Sequence, residues 1–105
     1  MIELETLNFD YLTYNRSQLR ECLLEIFNRL GLVERFNLDR SLLKNFIYEV
    51  SHNYRRVPYH NFTHVFNIVH VSYYILKVAT ELRSHLEDID VLAIIIGALG
   101  HDLDH

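Results

Sequence analysis

Cysteine is nearly missing from this chain: Cys22 stands alone, so no internal disulfide can form. A single thiol beside seven histidines fits a reducing compartment, the cytoplasm, better than a secreted scaffold. Basic charge is also in short supply. Ten lysines and arginines against fourteen aspartates and glutamates leave a formal charge of -4, and nucleic acid is excluded as a major partner because binding the phosphate backbone needs a basic face. Long apolar runs are lacking too: the longest, Val91 to Gly100, is far short of the roughly 20 residues that a membrane span requires. The start, MIELETLNFD, has no basic segment followed by an apolar one and so reads as no targeting signal. Repeats, low-complexity tracts and the alternation of a half-buried strand are likewise absent.

What remains is a chain of 105 residues, half of them apolar, enough for one modest core. Residues 1–14 show no clean period and read as an extended arm whose Leu4, Leu7, Phe9, Tyr11, Leu12 and Tyr14 pack on something. Helical spacing then begins. Ser17 is the expected N-cap of a first helix whose apolar stripe is Leu19, Cys22, Leu23, Ile26, Phe27 and Leu30, closed by Gly31 in a left-handed C-cap. Cys22 lies within that stripe and is therefore a core residue. Asp39 caps a second helix, with Leu42, Leu43, Phe46, Ile47 and Val50 on its apolar side, running to about Tyr54. Pro58 breaks the helical pattern, and a third helix restarts near Asn61 and reaches roughly Leu82. Its apolar residues surround most of its circumference, which makes it the central helix. Asp88 or Asp90 caps a fourth, through VLAIIIGAL into GHDLDH.

The fold class is therefore all-α with four main helices. Two of them are apolar on most sides, and only two amphipathic helices and an arm are present to cover them. The expectation is that residues 1–105 form the N-terminal part of one larger helical domain.

Two histidine pairs carry the chemistry. His60 and His64 stand four apart at the start of the third helix, and His101 and His105 four apart at the end of the fourth. Chance alone gives roughly 0.4 such pairs in this composition, so two together are notable. At about 100° per residue, His101, Asp102 and His105 fall near 0°, 100° and 40°, within one arc, while Asp104 falls near 300° and points away. Taken singly, a histidine near a helix end is more often a capping or satisfied polar residue, and His52, His70 and His85 are read that way. Burial changes the balance for the set. A polar group drawn inward behind AIIIGAL must be satisfied, and a metal ion does so while keeping the carboxylate ionised. Imidazole with carboxylate suits zinc; carboxylate with water suits magnesium or manganese. Gly97 and Gly100 either break or weaken the helix or, the favoured reading, let another helix approach closely enough beside His101 to share ligands. Arg55 and Arg56 read as a solvated face.

VPYHNFTHVFNIVH followed by ALGHDLDH resembles the catalytic domain of the class I 3',5'-cyclic-nucleotide phosphodiesterases, in which a Tyr-His-Asn-x-x-His motif, a long helix and a His-Asp-x-Asp-His motif follow one another. The likeness extends upstream through FNLDRSLLKNFIYEVSHNYRRVPYHN, so it covers nearly all of residues 30–105. The resemblance implies an N-terminal portion of a helical His-Asp phosphohydrolase-type domain. It also implies roles. His64, His101 and Asp102 would ligate a zinc ion, and Asp102 would also touch a second metal, magnesium or manganese. His60 would be the general acid that protonates the departing 3' oxygen, His105 would stand behind the ligands of the second metal, and Tyr59 and Asn61 would support the motif.

The implied function is hydrolysis of cyclic AMP, cyclic GMP or both to 5'-monophosphates in cyclic-nucleotide signalling. A cyclic phosphodiester is anionic and resists hydroxide, so two metals serve by neutralising phosphoryl oxygens and acidifying a bridging water, and a histidine serves as the acid because its pKa lies close to operating pH. The family's domain is longer than this chain, and its fourth zinc ligand and purine pocket lie after the second motif. The 105 residues alone are therefore expected to be inactive. Two other readings stay open, a metal-binding helical module without catalysis and a truncated interaction or regulatory product. A phosphohydrolase of the wider His-Asp helical superfamily is also open, but Tyr59-His60-Asn61 points to its cyclic-nucleotide branch. Substrate preference and oligomeric state are not legible.

Overall fold

The computed structural model describes residues 4–6, 10–54 and 61–101. Among them a 3-10 turn, Tyr11–Thr13, precedes six α-helices: α1 (Arg16–Arg29), α2 (Leu32–Arg35), α3 (Arg40–Asn53), α4 (Phe62–Val78), α5 (Thr80–Ser84) and α6 (Asp88–Gly100). Four of these are long and correspond to the four expected. No strand occurs among the described residues, and no described helix is long and apolar enough to cross a membrane.

Helix ends follow local chemistry. The N-cap of α1 is Asn15, not Ser17: the Asn15 side chain accepts from Gln18 N, and the Gln18 side chain accepts from Asn15 N, each at 2.8 Å. This reciprocal pair satisfies two orphan donors at once, which a cap at Ser17, already inside the first turn, would not. After α1, Gly31 takes φ 76°, the left-handed conformation that closes a helix at little cost only for glycine. Asp39 caps α3 as expected, its carboxylate accepting from Ser41 N and Leu42 N. Asn61 caps α4 by accepting from His64 N at 2.8 Å.

Two expectations are corrected here. The central helix does not continue to Leu82 but breaks at Ala79, whose ψ of 71° is non-helical. The next segment is held by two local bonds and one distant one: Arg83 donates to the Leu86 carbonyl and to Asp88, and Asp88 also receives Arg35 from α2. The N-cap of α6 is Glu87 rather than Asp88 or Asp90, and the Asp90 carboxylate accepts from Glu87 N at 2.9 Å from within the first turn. The short α2 had no separate signal in the sequence.

The core forms where α1 and α6 pack on α4, with α3 completing it against α1. α1 contributes Leu19, Cys22, Leu23, Ile26 and Phe27, α3 Leu43, Ile47 and Val50, α4 Phe62, Val65, Phe66, Val69, Tyr73 and Leu76, and α6 Val91, Ile95 and Leu99. Each large side chain taken fully out of water contributes about 1.5–3 kcal/mol. Cys22 is buried in the α1 stripe, as expected, and burial pushes its thiol up to about 11.

Leu4 and Glu5, within the expected arm, are tied down more firmly than an extended segment would be, whereas Leu12 is exposed and Leu7 and Phe9 lie outside the described residues. Leu4 is buried, its carbonyl accepts from His70 Nε2 at 2.9 Å, and Glu5 receives both the Tyr73 hydroxyl and the Arg29 guanidinium. Burial, reinforced by the Glu5 carboxylate, raises the Tyr73 hydroxyl well above the ordinary tyrosine range.

α6 is apolar all round yet covers only one side. Ile94 and Ile96 remain 39% and 38% exposed, and a side chain at Gly97 would meet no neighbouring atom. The close helix approach expected at Gly97 is therefore not made by the described residues.

Candidate metal centre

The N-terminal turn of α4 and the C-terminal end of α6 bring two histidines together. His64 is half-buried in the first turn of α4, where the Asn61 cap fixes its backbone N–H. His101 follows the last residue of α6 with helical backbone angles (φ -62°, ψ -25°) and is exposed, so the inward placement expected behind AIIIGAL is not made among the described residues. Because α4 and α6 pack against each other, the two imidazoles lie 6.3 Å apart between centroids, tilted by 55°. Two imidazoles sharing one zinc at about 2.0–2.1 Å would place their centroids about 5 Å apart, so modest side-chain rotation brings this pair to a common ion.

The tautomer of His101 also suits a ligand. Its Nδ1 lies 2.8 Å from the Ala98 carbonyl, which can only accept, so in the neutral ring the proton sits on Nδ1 and the lone pair on Nε2. A backbone carbonyl holding the far nitrogen is the usual way a metal-binding imidazole is oriented.

His60, Asp102 and His105 lie outside the described residues, as do Tyr59 and Asp104. Among the described residues no group of three or more histidine, cysteine, aspartate or glutamate side chains clusters to hold a metal. The described part of the site is thus one facing pair, His64 and His101, whose donor set fits a borderline-soft cation such as zinc.

Of the other described histidines, His85 ends α5, and His70 and His52 make contacts within the fold. His70 is buried, bonded to the Leu4 carbonyl and stacked on Phe66 at 6.0 Å. His52 stacks on Tyr48 on the outer side of α3. A groove of about 260 Å³ between α1 and α3, lined by Arg20, Leu24, Lys44 and Tyr48 among others, contains neither His64 nor His101.

Two residues near the pair were not anticipated. The Tyr54 hydroxyl donates to the Leu99 carbonyl at 2.7 Å, in the last turn of α6. Arg16 donates to the Ser51 and Tyr54 carbonyls at 2.5 and 2.8 Å, and its guanidinium rests 5.9 Å from the Phe62 ring centroid at the start of α4. These contacts join positions far apart in sequence, and periodicity carries no signal for them.

Residues 59–105, which contain both histidine pairs, match the family model of the 3'5'-cyclic nucleotide phosphodiesterase. The chain is 34% identical over 102 residues to the dual 3',5'-cyclic-AMP and -GMP phosphodiesterase 11A of Takifugu rubripes, covering 97% of this chain and 11% of that protein. It is 37% identical over 102 residues to the dual 3',5'-cyclic-AMP and -GMP phosphodiesterase 11 of Drosophila melanogaster, covering 97% of this chain and 7% of that protein. To the rod cGMP-specific 3',5'-cyclic phosphodiesterase subunit alpha of Bos taurus it is 31% identical over 103 residues, covering 98% of this chain and 12% of that protein. The chain therefore spans about a tenth of the length of these curated relatives.

Proposed function

We propose, from the premise that this chain is a fragment of a cyclic-nucleotide phosphodiesterase catalytic domain, that it supplies the first half of a metal-dependent centre hydrolysing 3',5'-cyclic nucleotides to 5'-monophosphates. The observation that carries the reading is the 6.3 Å apposition of His64 and His101, one from each motif, at the junction of α4 and α6. In this reading His64, His101 and Asp102 hold zinc, and Asp102 also reaches a magnesium or manganese ion. Bound divalent ions supply charge neutralisation at the phosphoryl oxygens and a water acidified toward neutral pH.

The chain's own residues have distinct tasks. Asn61 fixes the first turn of α4 and with it the origin of the His64 side chain. The Ala98 carbonyl holds His101 in the tautomer that offers Nε2. His60, immediately ahead of the cap Asn61, passes a proton to the departing 3' oxygen, and His105 steadies the ligands of the second metal. The remaining ligand and the nucleotide pocket come from sequence beyond this stretch, which also covers Ile94, Ile96 and the open side of Gly97. Alone, the 105 residues bind metal and do not turn over substrate. The reducing cytoplasm suits Cys22, which remains a thiol.

His60→Ala in the longer catalytic domain separates an enzyme from a metal-binding module. Cyclic AMP and cyclic GMP hydrolysis should fall about 10²- to 10⁴-fold while zinc content stays at the wild-type level. Unchanged turnover would remove His60 from the chemistry, and a wild-type domain that binds zinc without any turnover would favour the module.

A further inference from the structure

Tyr54 ends α3 with its ring buried, 3% exposed, and its hydroxyl reaches across to α6. It meets the Leu99 carbonyl, directly after the Ala98 carbonyl that orients His101. Two successive carbonyls in the last turn of α6 are thus engaged by side chains, one setting the His101 ring and the other tying the turn to α3. On the opposite side, Arg16 grips α3 through the Ser51 and Tyr54 carbonyls, where the negative end of the helix dipole favours a cation. The same guanidinium lies against Phe62, the first residue of α4, which is buried at 1% exposure and belongs to the same turn as His64. Arg16 and Tyr54 together therefore touch both helix ends that carry the histidine pair.

We propose that Tyr54, anchored by Arg16, is a positioning residue for the candidate metal centre: it fixes the end of α6 so that His101 faces His64. The inference rests on the metal-centre reading above. The geometric reason is leverage. His101 stands at the helix end, where the backbone frays unless tied down, and a displacement there changes the distance to His64 directly. A tyrosine hydroxyl with a buried ring is suited to the tie because packing fixes the ring while the hydroxyl makes one directed bond.

The test is zinc affinity of the 105-residue chain, measured by competition with a chromophoric chelator, with the visible spectrum of bound cobalt(II) as a second readout. Tyr54→Phe keeps the ring and removes the bond. It is expected to weaken zinc about 2- to 12-fold, the equivalent of one hydrogen bond, and to alter the cobalt(II) spectrum while helix content is unchanged. Tyr73→Phe removes the hydroxyl of another buried tyrosine, the one bonded to Glu5 away from the pair, and should leave zinc affinity as it is. Arg16→Lys keeps the charge, loses the two-pronged grip on α3 and should weaken zinc in the same direction as Tyr54→Phe, which secures the test should the latter lose helix content.

His101→Ala separates the two levels. If it abolishes tight zinc binding while Tyr54→Phe and Arg16→Lys bind as wild type, the positioning role is wrong and the metal centre stands. Equal weakening by Tyr73→Phe would also overturn the positioning role, because the effect would then be general loosening. If His101→Ala binds zinc as wild type does, the metal-centre reading falls and the positioning role falls with it.

Discussion

The imidazoles of His64 and His101 face each other across the α4–α6 junction at 6.3 Å between ring centroids, although each belongs to a different motif and a different helix. Their approach depends on the packing of α4 on α6, whose buried residues include Val65 and Val69 on the one and Val91, Ile95 and Leu99 on the other. The site thus depends on the core, and packing and chemistry can be tested on neighbouring residues of one helix.

Ile95 and Ile96 are adjacent on α6, yet Ile95 is fully buried and Ile96 is exposed. Ile95→Ala should lower unfolding stability by about 2–5 kcal/mol, since it removes buried surface and leaves a cavity. Ile96→Ala should change it by no more than about 0.5 kcal/mol. Chemical denaturation of the two variants beside the wild type checks this, and comparable losses would mean that α6 is rotated from the orientation described.

Asp88 joins α2, α5 and α6 through Arg83 and Arg35, each at 2.9 Å. The Arg83 bond holds its carboxyl below the ordinary value of 3.8 against the opposing effect of burial, and the Arg35 bond adds to the lowering. A carboxylate with a lowered folded pKa contributes stability above its unfolded pKa and loses it as pH falls through the folded value. Asp88→Asn should therefore be less stable than wild type at neutral pH, and the gap should close on acidification below pH 4. A gap that stays constant on titration would show that the ion pairs are not its source.

Cys22 is buried, and its thiol is pushed from an ordinary 9.0 up to about 11, first by burial and against the pull of Arg29. The native chain should react with a thiol reagent at pH 8 far more slowly than the chain in denaturant, because both the thiolate and access to it are lacking. The same raised pKa contributes stability that is complete below pH 9 and is lost as pH rises through about 11. Rapid native labelling at pH 8 would contradict the placement of α1 against the core.

The sequence made some of this legible for physical reasons that act locally. Asp39 and Gly31 announce a helix start and a helix end because a short carboxylate satisfies orphan N–H groups and glycine alone takes φ 76° without strain. The stripe from Leu19 to Phe27 is buried as its period requires. Contacts between distant residues were not legible. The break at Ala79 has neither glycine nor proline to mark it, and it leads into a segment held by the Arg83–Asp88–Arg35 cluster. Asn15 displaces Ser17 as the cap through a reciprocal bond with Gln18 that composition alone does not rank. Gly97 was read as a point of close approach, yet it opens onto free space among the described residues. For the site, spacing singled out His64 and His101, but only packing of α4 on α6 could bring them together. Tyr54 had no local pattern at all, because its partner Leu99 belongs to another helix.

Zinc titration of the wild-type chain beside His64→Ala, His101→Ala and His52→Ala tests the central claim most directly. The account predicts one tightly held zinc in the wild type, loss of more than about 100-fold in affinity for each of the first two variants, and no change for His52→Ala on the outer side of α3. Wild-type zinc affinity in both His64→Ala and His101→Ala would contradict it.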